Sequence, residues 1–139
     1  MPTLEPFTDD AEIREALFDG LRQFNARQNP DMKTDNFGYV QRDENNAIIA
    51  GIWARARMGA VEIDSLGVAD AHRGKGLGQT LLLTALEEAK TRGAKMAHLD
   101  TLDFQARPFY ERFGFKVFGE ITFPNGTSKY WMKLDLTAD

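Results

Sequence analysis

The chain has 139 residues, of which 42% are hydrophobic and 27% charged, and it carries a formal net charge of −4. That length and balance describe one ordinary α/β-sized domain over residues 1–139 and exclude a disordered chain. The acidic balance argues against a nucleic-acid partner, which needs a basic surface, and is compatible with a cationic substrate. No apolar run approaches membrane-spanning length, and "MPTLEPFTDDAE" lacks the basic start and apolar stretch of a signal peptide. There are no cysteines, so disulfides and thiolate nucleophiles are excluded, and a cytoplasmic location is expected.

In chain order, Ile13, Ala16, Leu17, Leu21 and Phe24 trace one face of a helix over residues 10–27. Asp9 or Asp10 caps its start, and Gly20 is placed to split or kink it. Residues 29–36 read as a polar loop, 37–42 as a strand and 43–46 as a turn. In the strand 48–57, Ile48, Ala50, Ile52 and Ala54 share one face, and Trp53, Arg55 and Arg57 the other. A short turn at Met58–Gly59 leads to a third strand, 61–68. Leu77, Leu81, Leu82, Ala85, Leu86 and Ala89 then form a helical stripe that Gly93 ends. A strand at 96–102, a short helix at 104–113 and a closing hairpin of 115–123 with 128–136 complete the order. Antiparallel strands, a β–α–β crossover and a final α–β–β segment make a mixed α/β fold with one sheet.

The segment "RGKGLGQT" puts Gly74, Gly76 and Gly78 between the third strand and the helix. Free N–H groups and the positive end of the helix dipole favour an anion there. The Rossmann fingerprint fails because its third glycine falls on Gln79. The P-loop fails because Lys75 is followed by glycine. What remains is Arg73-x-x-Gly76-x-Gly78, after a hydrophobic strand and before an amphipathic helix.

That motif resembles the pyrophosphate-binding loop of the GCN5-related N-acetyltransferase (GNAT) superfamily. A second segment, "QARPFYERFGFKVFGE" (105–120), is similar to the later motif of the same superfamily. The resemblance covers nearly the whole chain, although residues 1–36 carry no specific motif. It implies a GNAT fold: one mixed, mostly antiparallel sheet with a splayed strand pair, flanked by helices on both faces. It also implies acetyl transfer from acetyl-CoA to an amine by direct attack.

Four roles follow from the resemblance. The backbone N–H groups of Arg73, Gly74, Lys75, Gly76, Leu77, Gly78 and Gln79 hold the pyrophosphate, with the Arg73 and Lys75 side chains adding charge or standing as solvated surface cations. Leu66, Gly67 and Val68 offer unpaired backbone to the pantetheine arm, with Gly67 suited to a bulge. An amide, that of Leu66 first, stabilises the thioester oxygen, a donor worth ~3 kcal/mol. Glu62 and Asp64, on one strand face with Leu66, are alternative acceptors for the amine proton, directly or through water. Their ordinary reading is a solvated strand face or a salt bridge to Arg55 or Arg57. Tyr110 matches the tyrosine that protonates the departing thiolate.

Many relatives place asparagine where this chain has Asp103, which reads as a helix N-cap, with Gln105 taking the cofactor contact. His72 and His98 are too few and scattered for a metal site. The acceptor site falls on residues 18–37 and 121–131, which hold no chemically decisive motif. A small-molecule amine or polyamine is the leading acceptor, with protein lysines and N-termini as alternatives. A non-catalytic CoA-binding module and a transferase of longer acyl groups are the rival functions. Some members pair through their final strands, which makes a homodimer the expected assembly if one forms.

Overall fold

The computed structural model describes residues 3–137. The chain divides after Lys33 into two compact units. The first holds helix α1 (Ala11–Gln28), which Asp10 caps by accepting the N–H groups of Glu12 and Ile13 at 3.0 and 3.1 Å. Asp9 instead pairs with Arg14 at 3.3 Å. Gly20 does not split the helix, which runs unbroken from Ala11 to Gln28. Its cost relative to alanine is only about 1 kcal/mol, and Arg22 braces the turns around it, reaching Glu15 at 2.6 Å and Asp19 at 2.7 Å.

The second unit contains the sheet. Its strands are β1 (Asp35–Arg42), β2 (Ile48–Arg57), β3 (Ala60–Val68), β4 (Met96–Leu102), β5 (Lys116–Thr122) and β6 (Ser128–Asp135), in the order β1-β2-β3-β4-β6-β5. Helix α2 (Leu77–Thr91) links β3 to β4, and α3 (Arg107–Arg112) links β4 to β5. Every neighbouring pair is antiparallel except β3 and β4. The β2–β3 hairpin turns on two residues, Met58 at φ 54° and Gly59 at φ 76°, the double positive φ that suits the right-handed twist of strands.

The helical stripe of α2 is the core. Leu81, Leu82, Ala85, Leu86 and Ala89 are buried together with Ala54, Val61, Ala97, Leu99 and Met132, while Leu77 is only partly covered. Gly93, at φ 88°, ends the helix, and the N–H of Ala94 returns to the carbonyl of Ala89 at 2.9 Å.

Three local expectations need correction. The helix read at 104–113 begins only at Arg107, because Phe104–Ala106 form a turn. The Gln105 carboxamide oxygen accepts the N–H of Leu102 at 2.8 Å, and Pro108 occupies the first helical turn. Asp103 is therefore no helix cap. Its Oδ2 accepts the N–H of Ser128 at 2.9 Å and ties the end of β4 to the start of β6.

The third correction concerns β3. Trp53 faces Ser65 and Ala54 faces Ile63, so Asp64 is the extra residue of a bulge. One inserted residue reverses the alternation beyond it. Leu66 consequently lies opposite the buried Ile52, on the core face, and not on the face of Glu62. The bulge falls at Asp64 rather than at Gly67.

Candidate active site

Parallel pairing between β3 and β4 covers only Ala60–Glu62 against Met96–His98. Beyond it the two strands part. The opening is a cleft of about 680 Å³ between Ile63–Val68 on one side and Asp100 and Thr101 on the other. It runs through the sheet, since both core-face residues (Leu66, Val68) and opposite-face residues (Asp64, Asp100) line it.

The ladder alternation decides where the backbone of β3 points. The N–H of Ala69 donates to the carbonyl of Ile49 at 2.8 Å, and Val68 stands opposite Ala50. Antiparallel residues alternate between bonding their partner and facing away. Ala69 and Gly67 therefore face β2, while Leu66 and Val68 turn their N–H and C=O toward the gap. A second contact agrees, because the Nε–H of Arg73 reaches the Val68 carbonyl at 3.2 Å from that side.

The inner end of the cleft meets the glycine loop. Gly74 and Gly76 hold φ values of 78° and 80°, and a Cβ on either would touch nothing within 4 Å. The glycines thus serve backbone conformation, not space. Gly76 is the N-cap of α2, and its carbonyl accepts the Thr80 N–H at 3.1 Å. That leaves the N–H groups of Leu77, Gly78 and Gln79 as the unpaired first turn, with the positive end of the helix dipole behind them. Gly78 differs from the other two, for its missing Cβ would lie 3.6 Å from the ring of Phe109, which also lines the cleft.

Of the expected residues, Asp64, Leu66, Gly67, Val68, Arg73, Gly78, Gln105 and Tyr110 line this cleft. Gly74, Lys75, Gly76, Leu77 and Gln79 belong to the adjoining loop and first helical turn. Glu62 lies elsewhere, in a neighbouring cavity with Arg57 and His98. Asp64 is held by Arg55, Nη2 to Oδ1 at 2.8 Å. Arg73 also pairs with Asp70 at 3.2 Å. Tyr110 is 8% exposed, with its ring edge-on to Phe109 and Phe115, and burial raises its hydroxyl pKa above the usual phenol value.

Sequence reasoning missed Thr101, Asp100 and Phe104. Thr101 is buried at the cleft wall, and its Oγ1 accepts the Ala106 N–H at 3.4 Å, fixing the entry to α3. Phe104 lines the cleft while 72% exposed. A large aromatic outside any apolar stripe was its only available signal. Among the described residues, no group of three or more His, Cys, Asp or Glu side chains is arranged to hold a metal.

The same architecture appears in known proteins. The family model described as Acetyltransferase (GNAT) family matches residues 4–115. This chain belongs to the GNAT acetyltransferase family. Like that family it is an N-acetyltransferase. The GNAT chain is 30% identical to an acetyltransferase of Agrobacterium fabrum over 125 residues, covering 89% of this chain and 91% of the relative. A crystal structure from Agrobacterium tumefaciens, also described as an acetyltransferase, superposes with a TM-score of 0.88 at 29% identity, over 97% of this GNAT chain and 99% of the other. An aminoglycoside 6′-N-acetyltransferase crystallised with coenzyme A shares the fold at a TM-score of 0.65 and 17% identity, over 100% of this chain and 99% of that one.

Proposed function

We propose that this GNAT enzyme transfers the acetyl group of acetyl-CoA to the primary amine of a small molecule by direct attack. The observation that carries the reading is the end of β3–β4 pairing at Glu62 and His98, which leaves main-chain groups of β3 facing a cleft that ends at the α2 N-terminus. Such a cleft fits an extended amide-bearing arm along a strand edge and a diphosphate at a helix start. The fold relative that was crystallised with coenzyme A supports the same fit.

The residues divide the work. The N–H groups of residues 74–79 bind the diphosphate, with the Arg73 and Lys75 side chains adding charge, while the Arg73 N–H stays on the Asp70 carbonyl. Val68 bonds the pantetheine arm, Gly67 keeps its own N–H and C=O on β2, and Gln105 stiffens the opposite wall. The Leu66 N–H faces the thioester oxygen and stabilises the negative charge that builds there. An ammonium has no lone pair, so a carboxylate must first take its proton. Glu62 is favoured for this step, because Arg55 already occupies an oxygen of Asp64. The amine nitrogen then bonds the acetyl carbon and sheds its second proton to solvent, the C–S bond breaks, and the Tyr110 hydroxyl gives its proton to the leaving sulfur. Solvent restores the proton to Tyr110.

The test is a thiol-release assay with acetyl-CoA against a panel of small amines, polyamines and peptides. Free thiol appearing with at least one small amine supports the reading. Release with peptides alone, or with no acceptor, contradicts it.

A further inference from the structure

A second cavity, of about 420 Å³, opens on the face of the sheet opposite α2. Arg55 and Arg57 of β2, Glu62 of β3, and Met96 and His98 of β4 line it, with Phe118 of β5 closing one side. Glu62 and His98 are the last paired residues before the strands part, so this cavity stops where the cleft begins.

The charges in it are unevenly committed. Arg55 is tied to Asp64 at 2.8 Å. Among the described residues, neither Arg57 nor Glu62 is in an ion pair. Arg57 stands opposite Ala60, two residues from Glu62 along β3. At the rise of a strand that is a separation of ~7 Å. One positive and one negative group therefore share a cavity, each free to take an external partner, with the negative one nearer the cleft. Met96 and Phe118 provide apolar wall.

A molecule that satisfies both groups carries an ammonium and an anion. A di- or polyamine satisfies Glu62 but sets a second cation against Arg57 and Arg55. We infer that the acceptor is an amine bearing a carboxylate several bonds away, as in an ω-amino acid. Its ammonium lies at Glu62 beside the parting strands, its methylenes run along Met96 and Phe118, and its carboxylate meets the Arg57 guanidinium. The inference rests on the proposed transfer reaction, in which the amine meets the thioester at the splay.

The test compares 5-aminopentanoate with 5-aminopentanamide and 1,4-diaminobutane. Binding to the CoA-loaded protein is read by calorimetry, and kcat/KM by thiol release from acetyl-CoA. The acid should exceed the amide by at least about tenfold in both. Arg57→Gln should bring that ratio near one, and Arg57→Lys should restore part of it. Equal binding of acid and amide, tighter binding of the diamine, or an unchanged ratio in Arg57→Gln would overturn the inference. Turnover without a carboxylate preference removes this inference and leaves the transferase reading intact. Preferential binding of the acid without any turnover overturns the transfer reading and leaves only the carboxylate contact at Arg57.

Discussion

Arg55 Nη2 lies 2.8 Å from Asp64 Oδ1, and the pair spans the bulge at which β3 leaves its regular register with β2. Both side chains are more than a third exposed, at 45% and 36%. Such a pair stabilises a fold by under ~1 kcal/mol. Asp64→Asn should therefore lower the unfolding free energy by less than about 1 kcal/mol in urea titration.

The two carboxylates separate by rate. With Glu62 as proton acceptor, Glu62→Gln should reduce kcat roughly 10²-fold, and Asp64→Asn less than about tenfold. Steady-state kinetics on both variants read this directly. The reverse order would move the role to Asp64.

Tyr110→Phe keeps the edge-on ring contacts with Phe109 and Phe115 and removes only the hydroxyl. The kcat should fall roughly 10²-fold. Coenzyme A affinity, measured by calorimetry, should change by less than about twofold. A kcat equal to wild type would take the tyrosine out of the reaction.

Burial of Tyr110 also sets a pH dependence. Its folded pKa is raised, so the unfolded chain releases this proton first as pH rises. Above about pH 10 the native state binds more protons than the unfolded state, and stability falls with pH. The contribution is full below the unfolded phenol value and is lost on rising through the folded one. Urea titrations across this range should show Tyr110→Phe losing less stability than wild type. The acid stays protonated at neutral pH, so its loss should produce no alkaline fall in kcat below about pH 10.

The glycines of the loop should divide into two kinds. Gly76→Ala keeps space around its Cβ but forces alanine to φ 80°. A cost of about 1–2 kcal/mol in stability is expected, with weaker coenzyme binding because the N-cap geometry shifts. Gly78→Ala lies in ordinary contact with the Phe109 ring. Its stability should change little, while the cleft narrows and the coenzyme Kd rises. Thermal unfolding and calorimetry on both variants check the contrast.

Most elements were legible because they depend on local periodicity. The stripe from Leu81 to Ala89, the alternation through Ala50, Ile52 and Ala54, and the two-residue turn at Met58–Gly59 each report their own geometry. What was illegible depends on distant partners. Nothing within "VEIDSLGV" marks Asp64 as unpaired; that follows from Trp53 meeting Ser65, so the face of Leu66 could not be read locally. Asp103 looked like a cap because its real partner, Ser128, is 25 residues away. For the site, the glycine loop and Tyr110 were visible as motifs. The separation of Glu62 from Asp64 into two cavities appeared only with the sheet assembled.

The central claim is that the parted strands and the α2 N-terminus together hold coenzyme A, and calorimetric titration tests it most directly. Coenzyme A should bind with one-to-one stoichiometry, and pantetheine, which lacks the diphosphate, should bind at least about a hundredfold more weakly. No heat with coenzyme A, or equal affinity for the two ligands, would contradict the account.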